Sequence, residues 1–323
     1  MRPSVTIGIP VYNSVDILGQ TLDSVLKQSV DDWSVIISDN GSTDGTMELA
    51  QSYAERDPRI TAHQQPENRG QAYNYRFVFH QSDSPYFMWL SADDLLAPTY
   101  LELTRAALEA DPDLIGVYGS AVEINGEGVE LEPYIDGRHP ERRNSPDAAV
   151  RFGESLLEVP ALSFYSLFRS SVLEQTPLFG SYVGADRILM AELGLRGRVL
   201  KLDDMIFYRR AHEKQFSWGA NSHKARYRVI AGGDPGPFVG AGRYVELMKA
   251  IRRVDLTPSE RADVMKVVFG PYLKRAGKDE VSMVLRSTLP NLLGRVGIEF
   301  DYYDFLRRRK QKGRMAEADK EQQ

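Results

Sequence analysis

Two periodicities alternate along the first 120 residues. Val5-Thr6-Ile7-Gly8-Ile9-Pro10-Val11-Tyr12 is a β-rich run closed by Asn13-Ser14. Ile17, Leu18, Leu22, Val25 and Leu26 then share one helical face. Residues 33–38 predict a second strand. The polar stretch 39–46 predicts a loop with a helix start inside it, continued by Met47, Leu49, Ala50 and Tyr53. Asp57-Pro58 ends that helix; a short strand follows at 60–63 and a helix at 70–80. Tyr86-Phe87-Met88-Trp89-Leu90 is apolar without interruption, the pattern of a strand buried on both faces. Strands alternating with helices in this way predict an α/β fold with a largely parallel sheet covered by helices on both faces.

The second half is less regular. A helix is predicted at 99–110, a strand at 114–119, and a loop or hairpin over 124–143, which is rich in Gly, Pro, Glu and Arg. A helix at 146–157, a strand at 162–168, a helix at 186–196 and short strands at 199–202 and 205–210 follow. Residues 221–238 contain Gly232-Gly233-Asp234-Pro235-Gly236-Pro237 and read as a linker. Amphipathic helices are predicted at 244–253, 259–275 and 281–293, and the basic stretch 307–312 opens a frayed tail. The expected organisation is therefore an α/β domain over 1–218, with halves 1–119 and 120–218, and a mainly helical extension over 219–323.

Composition narrows the chemistry. The 323 residues carry a net charge of -5, which argues against a nucleic-acid binder; phosphate recognition must come from a local patch. The chain has no cysteine, which excludes disulfides, thiolate catalysis and Cys-ligated zinc and fits a cytoplasmic protein. No signal-peptide core is expected at the N-terminus, and no apolar run is long enough to span a membrane; residues 281–298 contain Arg286 and Arg295.

Polar residues gather where predicted strands end. They are Pro10-Val11-Tyr12-Asn13, the stretch from Ser38-Asp39-Asn40 to Thr46, Asn68-Arg69-Gly70 with Asn74, and Ser91-Ala92-Asp93-Asp94. In an open parallel sheet these ends open onto one crevice. Asp93-Asp94 after a buried strand suits a hard divalent cation, and equally suits a turn and helix cap.

These pieces, in this order, resemble family 2 glycosyltransferases of the GT-A fold, a three-layer α/β/α architecture. The resemblance runs from about Val5 to Phe216. It implies an enzyme that moves a sugar from a nucleotide-diphosphate sugar, with UDP favoured, to the hydroxyl of a glycan or lipid-linked acceptor, in bacterial polysaccharide or glycoconjugate biosynthesis. It also implies a divalent metal, Mn²⁺ or Mg²⁺, with Asp94 as the stronger ligand and Asp93 supporting the ribose or the metal. The family often has an Asp where this chain has Ser91. Pro10, Tyr12 and Asn13 are expected to hold base and ribose, although Tyr12 also suits packing at the strand edge. Asp39 and Asn40 stand where the family has two acidic residues, which leaves the base open. Asn74 and Arg76 are expected at the nucleotide or on a solvated helix face, and Asp44 as a helix cap. Gly184-Ala185-Asp186-Arg187 resembles the family's catalytic motif, with Asp186 as the base of an inverting transfer or merely a cap. Arg210 and His212 form an Arg-x-His expected near the diphosphate, with His212 able to ligate the metal. Lys214 and Trp218 are expected in a lid, with Trp218 equally suited to anchor the C-terminal helices.

Two other readings compete: a scaffold that has lost catalysis, and a sugar nucleotidyltransferase. The second would want a Gly-rich basic loop after the first strand, where Pro10–Asn13 stands instead. Gly-x-Gly-x-x-Gly is also absent there, against a dinucleotide enzyme. The C-terminal helices are expected to pack on the catalytic domain or form a homodimer contact. The basic tail is expected to be solvated or to touch the inner face of a membrane.

Overall fold

The computed structural model describes residues 3–157, 162–211, 223–233 and 241–272. The chain divides into two compact units, Met1–Val267 and Val268–Gln323. Of the second, the helical turn Val268–Tyr272 is described.

The first unit is built on one sheet, nine-stranded among the described residues. Its strands are β1 (Val5–Val11), β2 (Trp33–Asp39), β3 (Ile60–Gln64), β4 (Tyr86–Trp89), β5 (Leu95–Leu96), β6 (Leu114–Ile124), β7 (Glu130–Pro133), β8 (Leu167–Arg169) and β9 (Arg198–Arg210). Their order is β3-β2-β1-β4-β8-β6-β9-β5, with β7 paired to β6. The pairs β1–β2, β2–β3, β1–β4 and β6–β9 are parallel. Strand β8 is antiparallel to both β4 and β6 and so joins the two parallel parts.

The helices of this unit include α1 (Val15–Leu26), α2 (Thr46–Arg56), α3 (Gln71–His80), α4 (Tyr100–Ala110), α5 (Ala148–Leu157), α6 (Ser170–Leu173) and α7 (Ala185–Arg196). The chain steps outward from β1 to β2 to β3, then returns across both to β4. Right-handed crossovers therefore put α1 and α2 on one face and α3 on the other. The direction of winding reverses between β1 and β4, and a crevice opens beyond the carboxyl ends of strands at such a point.

Packing fixes where β4 ends. Trp89 is fully buried; its indole N–H donates to the Tyr75 carbonyl of α3 at 2.9 Å. Its ring stacks on Phe164, with centres 5.1 Å apart and planes nearly parallel at 12°. Phe87, Phe79, Tyr75 and Phe179 complete the cluster. Each such ring contributes about 1.5–3 kcal/mol by burial, so the end of β4 is held from several sides.

The structure departs from the sequence expectation in several places: β5 and α6 were not expected, and β6 runs to Ile124 where a strand was expected only over 114–119. The strand expected at 162–168 is shortened to β8, because Ser163–Tyr165 forms a helical turn that brings Phe164 onto Trp89. The two strands expected at 199–202 and 205–210 are one strand, β9, whose register against β6 shifts between Leu202 and Met205. The expected linker contains a helix, His223–Ala231, whose Ile230 is buried in the main core. The hairpin anticipated over 124–143 is formed by β6 and β7. Helices Ala241–Arg253 and Pro258–Val267 follow; the helix expected at 281–293 and the basic tail lie outside the described residues.

Candidate active site

A cavity of about 540 Å³ lies at the carboxyl ends of β1, β2 and β4. Its walls are contributed in chain order. Pro10–Ile17, except Val15, form the first wall, and Asn40 enters from the end of β2. Asn68, Gln71, Asn74 and Tyr75 form a second wall, and Ser91, Ala92 and Asp93 a third. Gly126, Arg210 and Val229 complete it.

The first wall turns sharply after β1. Asn13 has φ 49°, in the left-handed region that Asn tolerates better than most residues. Its side-chain oxygen accepts the Thr43 N–H at 3.0 Å, and its own N–H donates to the Ser42 hydroxyl at 2.8 Å. Asp44 accepts the N–H groups of Val15 at 3.2 Å and Thr46 at 3.0 Å, so it holds the starts of both α1 and α2. Tyr12 is left half exposed beside the cavity.

Asp39 does not face this space. It is fully buried and both its oxygens accept the Ser42 N–H at 3.2 Å, with the Ser42 hydroxyl bonded as well. Burial raises its carboxyl above the usual range, against the Ser42 bonds, which lower it. Asn40 lines the cavity, but its amide is tied to the next loop. It donates to Asn68 Oδ1 at 3.0 Å and the Gly70 carbonyl at 3.2 Å, and accepts the Arg69 N–H at 3.0 Å.

On α3, Gln71, Asn74 and Tyr75 are spaced i, i+3, i+4 and make one face. Asn74 donates to the Val11 carbonyl at 3.3 Å and the Ser38 carbonyl at 2.8 Å, joining α3 to the ends of β1 and β2. Arg76 lies off that face. It donates to the Phe179 carbonyl at 2.7 Å and is not in the cavity wall, so its expected place at the nucleotide is corrected to a tie on the approach to α7. Gln71, Tyr75, Gly126 and Val229 were not anticipated; helical spacing around Asn74 is a signal for the first two.

Asp93 and Asp94 turn in different directions, as neighbours leaving a strand do. Asp93 is in the cavity wall, and the Ser91 hydroxyl bonds its carboxylate. Asp94 is buried behind it, with Oδ1 accepting the Arg210 N–H at 3.0 Å. Burial and then the neighbouring Asp93 charge push the Asp94 carboxyl well above the carboxylate range. This placement favours Asp93, not Asp94, as the carboxylate that meets a ligand. Arg210 is fully buried, and its guanidinium bonds backbone carbonyls and Gln20.

Asp93 and Asp94 fit a hard dication. Asp93 offers carboxylate oxygen to a Mg²⁺- or Mn²⁺-type ion that takes its remaining ligands from water and phosphate, and the buried Asp94 behind it, disfavoured as an anion by burial and by the Asp93 charge, would be relieved by a nearby cation. Among the described residues no cluster of three His, Asp or Glu side chains forms a metal cage. His212, Lys214 and Trp218 lie outside the described residues.

Asp186 sits in the first turn of α7, after Gly184 at φ 84°. It is not in the wall of this cavity. The helix terminus and Arg187 favour the carboxylate, but burial outweighs them and raises its carboxyl. The segment leading into α7 is bound to α3 through Arg76 and through Tyr75 against Phe179, whose ring centres are 4.8 Å apart.

The sequence matches the Glycosyl transferase family 2 pattern over residues 6–175, more than half of the chain. The chain belongs to glycosyltransferase family 2. TuaG of Bacillus subtilis (strain 168), named for teichuronic acid biosynthesis, is 37% identical over 93 residues, 29% of this chain and 37% of that protein. The chondroitin synthase of Pasteurella multocida (strain Pm70) is 32% identical over 126 residues, 39% of this chain and 13% of that protein. The chain thus spans well under two thirds of these relatives. Among solved structures, S. aureus TarS 1-349 in complex with UDP-GlcNAc superposes with a TM-score of 0.60 at 17% identity, over 88% of this chain and 79% of that one. The mannosyltransferase PcManGT from Pyrobaculum calidifontis, in complex with GDP-Man and Mn²⁺, gives 0.52 at 19% identity, over 88% and 74%. At such identities the likeness is one of fold: the GT-A architecture, with a mostly parallel curled sheet and helices after it. Transferase chemistry follows from the family. No described helix is long and apolar enough to cross a membrane.

Proposed function

We propose that this glycosyltransferase uses a nucleotide-diphosphate sugar, with UDP the favoured carrier, and transfers with inversion to an acceptor hydroxyl in bacterial polysaccharide or glycoconjugate assembly. One observation carries the reading: the Pro10–Asn13 wall and the Asp93 carboxylate face the same 540 Å³ cavity. The wall suits a base and ribose, with Tyr12 offering a ring face. The carboxylate lies where the diphosphate of a ligand so placed would end. TarS with UDP-GlcNAc and PcManGT with GDP-Man and Mn²⁺ support a nucleotide-sugar donor and a metal.

Asp93, with Asp94 behind it, would hold the divalent ion. That ion supplies positive charge beside the leaving diphosphate. Asp186 takes the proton of the acceptor hydroxyl. The acceptor oxygen then bonds the anomeric carbon, while the carbon–oxygen bond to phosphate breaks and its electron pair leaves on the diphosphate. Attack opposite the leaving group inverts the centre. A carboxyl raised by burial is a better base than one left low at a helix terminus.

The test is a panel of nucleotide sugars with Mn²⁺, read as product formed or as slow donor hydrolysis. One donor should be consumed, and Asp186→Asn should stop transfer while leaving nucleotide binding intact. Consumption of no donor, with no nucleotide bound, would remove the reading.

A further inference from the structure

The Arg210 side chain lines the cavity, yet its hydrogen bonds run into the protein. Nε donates to the Asp93 carbonyl at 2.8 Å. Nη1 donates to the carbonyls of Asn125 at 2.9 Å and Gly126 at 2.7 Å, the turn between β6 and β7. Nη2 donates to Gln20 Oε1 on α1 at 2.8 Å. Its backbone N–H donates to Asp94. Three segments far apart in sequence therefore meet on one side chain: the loop after β4, the β6–β7 turn and helix α1. Each contributes residues to the cavity wall, namely Asp93, Gly126 and the Asp16–Ile17 turn.

We infer that Arg210 is the positioning residue of the donor cavity, a clamp that fixes the Asp93 loop against the β6–β7 turn and α1. The planar fork explains the residue type. Four acceptors are met by three nitrogens whose directions are fixed, which the single ammonium of a lysine cannot reproduce. The guanidinium also lies in the field of the Asp93 and Asp94 carboxylates, which favours its charged form there. The site role of this clamp rests on the proposed nucleotide-sugar reading; the clamp itself does not.

The first test therefore needs no ligand. Hydrogen exchange is measured on the whole unliganded chain, wild type against Arg210→Lys. Amides in 91–96 and 124–130 should exchange roughly tenfold faster, with β1 and β2 unchanged, because only the clamped loops open. Exchange in both loops equal to wild type would overturn the inference. Should Arg210→Lys loosen β1 and β2 as well, Gln20→Met decides. It removes one of the bonds and should speed exchange in 124–130 about threefold, and no change there would overturn the clamp. In the enzyme, Arg210→Lys should lower kcat roughly tenfold with the donor KM within about threefold, since a misplaced wall costs the transition state. A raised KM with kcat kept would instead assign a direct grip on phosphate and overturn the inference. Should wild type bind no nucleotide, the functional reading fails while the exchange result still stands.

Discussion

Gly70 and Gly232 touch backbone to backbone. Gly70 has φ 83° and ψ 158°, a conformation essentially confined to glycine. A Cβ built there would stand 2.3 Å from the Gly232 nitrogen and 2.6 Å from the Ala231 carbonyl carbon. Gly232, at φ 72°, would place its own Cβ 2.5 Å from the Arg69 carbonyl carbon. No rotamer relieves a clash with main chain. Gly70→Ala therefore costs about 1–3 kcal/mol in backbone strain. It also forces the helix His223–Ala231 away, which uncovers Ile230, worth about 1.5–3 kcal/mol. The expected loss is about 2.5–6 kcal/mol. For a unit of this size that lowers Tm on the order of 10 °C. Calorimetry of Gly70→Ala, Gly232→Ala and the double variant measures it. The double variant should fall short of the sum, because both substitutions break one contact. A Gly70→Ala Tm within about 1 °C of wild type would refute the contact.

Other outcomes follow from the same structure. Glu192 is buried on α7, with Oε1 2.8 Å from Arg196 and Oε2 2.6 Å from Arg253. Glu192→Ala leaves two guanidinium groups facing each other; both keep some solvent, so urea unfolding should show a loss of about 2–4 kcal/mol rather than the full penalty of a buried unpaired charge. In wild type the acid limb of kcat/KM should lie above the ordinary carboxylate range, because burial raises Asp186. The sign for stability is opposite. A raised carboxyl holds its proton more tightly when folded, so its stabilising contribution is complete below the unfolded value near ~3.9 and is lost as pH rises through the folded value. Asp186→Asn should flatten that part of the Tm–pH curve; an unaltered curve would show that burial does not raise this group.

The first half was legible because its strands and helices each bury one periodic face. From β1 to α4 the expected elements have boundaries within a residue or two of the pattern, while the two-residue strand β5 was not expected. The turn at Ser163–Tyr165 was not legible: an apolar stretch reads as a strand unless one knows that Phe164 is drawn onto Trp89. The helix at 223–231 was hidden by the Gly-Gly pair after it, which looks like a linker and ends a packed helix. The strand-end residues were found as a set because the topology brings them together. Their individual directions were not. Asp39 turns back to Ser42, three residues on, whereas Arg76 turns to Phe179 and Asp94 to the Arg210 amide, partners distant in sequence.

Calorimetric titration of UDP, GDP, CDP and ADP, with and without Mn²⁺, into wild type and Asp93→Asn tests the central claim most directly. One nucleotide should bind wild type, more tightly with Mn²⁺, and Asp93→Asn should lose the Mn²⁺ gain while keeping the metal-free affinity. Binding of no nucleotide, or an undiminished Mn²⁺ gain in Asp93→Asn, would contradict a donor cavity in which Asp93 meets the diphosphate.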